Sequence, residues 1–118
     1  MDAKIKNTFN WYQKTAENED KFAQCNLARS YENGEGTERN LEKAFYWYQK
    51  AAENGYKFAQ NYVAYSYDKG IGTEKSMEKA FYWYQKAAED EYVYAQNNLG
   101  LLYKKGKGIE KNLEKAFY

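Results

Sequence analysis

Histidine and proline are absent from the chain, and cysteine occurs once, at Cys25. The usual zinc sets of cysteine and histidine therefore cannot be assembled, and Cys25 has no imidazole to activate it as a nucleophile. A lone thiol cannot close a disulfide within the chain, which fits a reducing compartment such as the cytoplasm. Without proline, helices run uninterrupted. Net charge is only +1, with acids and bases interspersed, so the surface is not built mainly for nucleic acid or anionic membrane. No stretch is long and apolar enough to span a bilayer, and Met1–Lys6 lacks the apolar core of a signal peptide. What the chain has in excess is aromatic residues, at 19%, suited to helices packed through rings.

Those rings recur in a fixed phrase. Lys43-Ala44-Phe45-Tyr46-Trp47-Tyr48-Gln49-Lys50-Ala51-Ala52-Glu53 returns from Lys79 to Glu89. A diverged copy runs from Thr8 to Glu17, and a cut copy closes the chain at Lys115–Tyr118. Trp11, Trp47 and Trp83 are 36 residues apart, as are Gly34/Gly36, Gly70/Gly72 and Gly106/Gly108. A fixed period of this size marks a repeat array.

Within each unit two helices are expected. Helix A carries Ala23, Leu27 and Tyr31 on one face, with Ala28 small enough for a close neighbour; Ala59, Val63, Tyr67 and Ala64 repeat this, then Ala95, Leu99, Tyr103 and Gly100. Gly34 and Gly70 end helix A in the left-handed conformation. The connectors Gly34–Arg39, Gly70–Lys75 and Gly106–Lys111 lead to helix B, capped by Asn40, Ser76 and Asn112. The apolar residues of helix B cover an arc of roughly 160°, so it must touch more than one neighbour. Asn54-Gly55 ends one helix B, whereas Asp90-Glu91 ends the next; a left-handed Glu91 costs about 1–2 kcal/mol. Residues 1–21 thus read as the second helix of a partial repeat, 22–57 and 58–93 as full repeats, and 94–118 as a truncated one.

The pattern Ala-x-x-x-Leu-Ala/Gly-x-x-Tyr-x-x-Gly-x-Gly, followed by Lys-Ala-Phe-x-Trp-Tyr-x-Lys-Ala-Ala-Glu, resembles the Sel-one-like repeat (SLR) family, a relative of the tetratricopeptide repeat. The likeness covers nearly the whole chain, and the wording of helix B is similar to that of fungal-type arrays. It implies an all-α solenoid, a right-handed superhelix of antiparallel helix pairs, working as a non-catalytic adaptor or signalling scaffold for protein complexes. The chain departs from the bacterial cysteine-rich branch, which pairs two cysteines per repeat, and it lacks the turn glycine at Glu19 and Glu91.

Comparing the copies shows which positions stacking leaves free. On helix A, Asn26, Arg29 and Asn33 become Tyr62, Tyr65 and Lys69, then Asn98, Leu101 and Lys105. These lie at i, i+3 and i+7, one stripe per helix. Stacking sets the stripes side by side on the concave surface, where a partner protein or peptide is expected, with Tyr62, Tyr65 and Arg29 at the centre. Tyr46 and Tyr82 read as exposed rings beside Lys50 and Lys86, Cys25 as a partly exposed thiol, and the tryptophans as packing residues. Ser76-Met77-Glu78-Lys79 spells a Ser-x-x-Lys motif, but the same slots hold Asn40 and Asn112, so Ser76 is a cap. Gly34-x-Gly36 lacks the later glycine of a dinucleotide loop. No cofactor is implied. Two rival readings are single-stranded RNA binding, through the tyrosines and Lys104, Lys105, Lys107 and Lys111, and end-to-end self-assembly through uncapped terminal repeats.

Overall fold

In the computed structural model, residues 3–109 are described, with side chains as far as Lys105. They form α1 (Ala3–Glu17), α2 (Lys21–Asn33), α3 (Leu41–Glu53), α4 (Lys57–Lys69), α5 (Met77–Glu89) and α6 (Val93–Ile109). Each helix packs on its neighbours in the chain, most extensively α2 on α3 and α4 on α5. The outcome is an elongated all-α solenoid, 54 × 24 × 19 Å. Both α3 and α5 lie between two helices, as the width of their apolar arc requires.

Local chemistry sets the helix ends. Asn40 and Ser76 accept from the backbone N–H of Lys43 and Lys79, and Asp20 accepts from Phe22 and Ala23. Gly34 and Gly70, at φ 71° and 74°, donate to the carbonyls of Ser30 and Ser66. After α3 the left-handed residue is Gly55, but after α1 and α5 it is Glu19 and Glu91, at φ 65° and 57°. Each glutamate therefore carries the expected strain of about 1–2 kcal/mol.

The second glycine of each connector does more than turn the chain. A Cβ on Gly72 would lie 2.3 Å from the Leu41 carbonyl oxygen, and one on Gly36 would lie 2.5 Å from Phe9 Cβ. The connector backbone of one unit thus rests flat on the start of the preceding helix B. Beside this contact, rings meet across each junction: Phe9 with Tyr31, Phe45 with Tyr67, and Phe81 with Tyr103, at 5.1–5.5 Å.

A glutamine that recurs in each copy closes the exposed end of helix B. Gln24, Gln60 and Gln96 donate to the carbonyls of Ala16, Ala52 and Ala88, at 3.2, 3.2 and 3.5 Å. Each of these carbonyls also accepts the backbone N–H of the left-handed turn residue, Glu19, Gly55 or Glu91.

Four expectations need correction. Cys25 is buried, not partly exposed, although the equivalent Asn61 and Asn97 are not. The thiol is small and weakly polar, so the packing closes over it, and burial pushes its pKa up. Trp47 and Trp83 pack against the core, but Trp11 is 60% exposed, since no described helix precedes α1 to cover it. The break expected at Gly106–Gly108 is absent, because α6 continues to Ile109. In the first two units the break is held by the next segment, with Asn40 and Ser76 donating to the Tyr31 and Tyr67 carbonyls. The corresponding Asn112 lies outside the described residues. Among the described residues a Cβ on Gly100 would meet nothing, where Ala28 and Ala64 are fully buried.

One junction is incompletely satisfied. Asn54 Nδ2 donates to Gln24 Oε1 at 3.0 Å, but Asp90 stands in the equivalent place and has no amide. Gln60 Oε1, at that second junction, is buried without a partner. Asp90→Asn should supply the missing donor and raise unfolding stability by about 1–3 kcal/mol, the cost of such an orphaned group. Urea denaturation beside the unmodified chain measures the difference, and no gain would show that Gln60 is already satisfied.

Candidate interaction surface

Helices α2, α4 and α6 lie side by side and are tied through side chains. Between α2 and α4, Glu32 accepts from two phenols at once: Tyr48 Oη, from α3, donates to Oε1 at 2.7 Å, and Tyr62 Oη, from α4, donates to Oε2. The Tyr62 ring stacks on Tyr48 with centroids 4.0 Å apart. Between α4 and α6, Asn98 Nδ2 donates to Asn61 Oδ1 at 3.2 Å, and Lys105 pairs with Asp68 at 2.8 Å. Of the stripe residues, Tyr62, Asn98 and Lys105 thus each reach the neighbouring A helix.

The stripe residues differ in exposure. Arg29, Asn33, Tyr65, Lys69, Leu101 and Lys105 are exposed, whereas Asn26, Tyr62 and Asn98 are half-buried. Arg29 donates to Asn26 Oδ1 at 2.9 Å, and Lys69 lies over the Tyr65 ring, 6.0 Å from its centroid. Tyr62 and Tyr65 remain neighbours at 6.4 Å. Tyr62 faces inward because its ring completes the Tyr48 stack and its hydroxyl completes the Glu32 pairing. It fastens adjacent repeats, and the outward-facing members of the central group are Arg29 and Tyr65.

Three features of this surface escaped the reading of the sequence. Glu32 and Asp68 hold neighbouring A helices together, but a carboxylate one residue before the stripe looks like an ordinary solvated charge. The Asn61–Asn98 pair joins different slots of adjacent repeats, which a slot-by-slot comparison does not connect. Phe22, Phe58 and Tyr94 extend the stripe toward the helix N-termini and are exposed. The signal for the last was present, since a ring stands before Ala-Gln in all three copies. Elsewhere, Tyr46 and Tyr82 are exposed on helix B with Lys50 and Lys86 over their rings, as expected.

An open hollow of about 600 Å³ between the start of α3 and the α4–α5 connector is lined by Asn40, Leu41, Glu42, Gly70, Gly72, Thr73 and Glu74. Its side chains pair no nucleophile with a base. Among the described residues no group of three or more histidine, cysteine, aspartate or glutamate side chains could hold a metal ion, and no helix is long and apolar enough to cross a membrane. Burial, followed by the Glu32 or Asp68 carboxylate, holds the phenol pKa values of Tyr48, Tyr62 and Tyr84 well above the ordinary value.

Comparison with known proteins agrees with this architecture. The model of the Sel1 repeat family matches residues 5–20, 21–56, 57–92 and 93–118. Among solved structures, a Sel1 repeat protein from Oxalobacter formigenes is 41% identical, with a TM-score of 0.81 over 85% of this chain and 41% of its own. A protective antigen of uropathogenic Escherichia coli with an SLR fold is 34% identical, with a TM-score of 0.80 over 83% of this chain and 21% of its own. The cysteine-rich protein B of Helicobacter pylori is 25% identical, with a TM-score of 0.74 over 77% of this chain and 68% of its own. The chain thus spans well under half the length of the first two. No functionally curated protein matches it.

The tyrosines give a signed pH dependence. Tyr48 and Tyr84 are buried, and their folded pKa values lie above the unfolded value of about 10. Above that pH the folded chain holds more protons than the unfolded one, so stability is full below about pH 10 and falls as pH rises, by up to about 1.4 kcal/mol per unit for each tyrosine. Denaturant midpoints between pH 8 and 11 should show this fall, and Tyr84→Phe should make it shallower. An unchanged slope in that variant would deny Tyr84 its part.

Proposed function

We propose that this chain, which belongs to the Sel1-repeat family, is a non-catalytic scaffold that holds a partner protein or peptide on the surface formed by α2, α4 and α6. Members of the family generally serve as protein-interaction modules. The observation that carries the reading for this chain is the contrast between copies. The stacking positions Ala44, Tyr48 and Ala51 recur unchanged as Ala80, Tyr84 and Ala87 and are buried in both places. The exposed stripe position beside them is Arg29, then Tyr65, then Leu101. Sequence that varies on an exposed face while the packing is held constant is free to be shaped by a partner.

Arg29 and Tyr65 are the residues we place at the centre of the contact, since both are exposed and of types enriched at interface hot spots. Asn26, Asn33, Lys69, Asn98, Leu101 and Lys105 surround them, and Tyr62 acts by fixing the spacing of α2 and α4. The adaptor and signalling role, and the cytoplasmic setting suggested by a single cysteine, belong to the same proposal.

The test is affinity capture with the unmodified chain and with an Arg29→Ala/Tyr65→Ala variant, with helical circular dichroism as the control for folding. The variant should keep its helix content and retain less than about a tenth of the partner, as loss of hot-spot side chains implies. Equal capture by both chains would remove this face as the binding surface. Tyr62→Ala is unsuitable as a first probe, because it also breaks the contact between repeats.

A further inference from the structure

We propose that the N-terminal edge of the A helices is a second docking site, built for a proline-rich segment in the polyproline II conformation. Five rings form a continuous rail there across three units. Phe22 meets Tyr56 at 5.1 Å, Tyr56 meets Phe58 at 5.1 Å, Phe58 meets Tyr92 at 5.0 Å and Tyr92 meets Tyr94 at 5.4 Å, each edge to face. Three of these rings remain open to solvent, Phe22 at 56%, Phe58 at 44% and Tyr94 at 62%. The exposed Tyr46 and Tyr82 differ, since among the described residues the one ring each meets is the tryptophan beside it in its own helix. A rail of large apolar rings crossing repeats is more than the scattered exposure of an ordinary surface.

Spacing, donors and charge point to one kind of occupant. Two ring contacts of 5.0–5.4 Å carry the rail from one repeat to the next, so each repeat advances it by at most about 10 Å. One turn of polyproline II, three residues, rises about 9 Å. Successive turns of such a segment therefore meet successive ring pairs, Phe22 with Tyr56 and Phe58 with Tyr92, in phase. Aromatic-lined grooves are the surfaces on which this conformation docks. Its carbonyls are unpaired within the segment and need donors. Tyr56 and Tyr92 supply one hydroxyl per repeat, and among the described residues neither hydroxyl makes a side-chain hydrogen bond, although both backbones do.

The charges along the edge are mixed. Lys21 lies over Phe22, and Lys57 lies over both Phe58 and Tyr92, at 5.7–5.8 Å from the ring centroids. Glu89, Asp90 and Glu91 stand just before Tyr92 in the chain and are exposed. A border of both signs favours a ligand that is neutral where it crosses the rings, and prolines meet that condition. A nucleic acid would meet the carboxylates, and an acidic peptide would meet them too.

The experiment is calorimetric titration of the full chain with decaproline, and with a glycine–serine decapeptide of equal length, up to about 1 mM, the weak end of specific binding. Decaproline should bind and the glycine–serine peptide should not. Phe58→Ala should weaken decaproline binding at least about tenfold. Tyr92→Phe keeps the ring and the fold but removes a donor, and should weaken binding about fivefold. The Arg29→Ala/Tyr65→Ala variant should bind decaproline as the unmodified chain does, which separates this site from the one proposed above. Failure of decaproline to bind, equal binding of both peptides, or unchanged affinity in both rail variants would overturn the proposal. Loss of decaproline binding in the Arg29/Tyr65 variant would overturn its placement on the rail.

Discussion

Everything in this solenoid depends on how closely the backbone of one repeat can approach the helix before it. At Gly72 there is no room for a Cβ above the Leu41 carbonyl, and at Gly36 none above Phe9. These two contacts, one period apart, set the distance at which the next helix pair is laid down. The rest of the junction is fitted to that distance: Ala44, Ala51, Ala52, Ala80 and Ala87 at 0–2% exposure along α3 and α5, and edge-to-face rings from Phe45 to Tyr67. A larger residue in the connector would lift the repeat away and separate all of these contacts together. The glycine pair therefore has two different duties. The first glycine ends helix A, and the second lets the connector lie down.

From this approach the polar contacts follow. At the end of each helix B, a carbonyl already held by the turn also accepts from Gln24, Gln60 or Gln96 of the next helix. Because the A helices are held at packing distance, Glu32 can gather Tyr48 and Tyr62, while Asp68 meets Lys105. The two junctions use different chemistry for the same purpose. That difference is affordable only because the apolar contacts beneath are constant. The exposed stripe position held by Arg29, Tyr65 and Leu101 is where the copies diverge, and it is on the face to which we assign partner binding.

Much of this was legible in the residues themselves. The period gave the helix pairs, Gly34 and Gly70 gave the ends of helix A, Asn40 and Ser76 gave the caps, and the misplaced Glu91 announced its own strain. These features are local, and each copy repeats the same local chemistry. What could not be read depends on contacts between copies. Tyr62 differs from Asn26 and Asn98, so variation alone marks it as free, yet it is drawn inward by Tyr48 and Glu32, 14 and 30 positions away. Cys25 is buried where Asn61 is not, because the first junction closes over a thiol that it could not close over an amide. At Gly106 the expected break does not occur, and local glycine content did not end α6.

The most direct test of the close-approach account is to compare Gly72→Ala with Gly55→Ala in chemical denaturation. Both positions are left-handed, at φ 73° and 85°, but a Cβ on Gly55 meets nothing within 4 Å. Gly55→Ala should cost about 1–2 kcal/mol, the backbone strain alone. Gly72→Ala should cost about 1–3 kcal/mol more, from forcing atoms into filled space. Equal losses for the two variants would mean that the connector does not rest on the preceding helix, and would contradict the account.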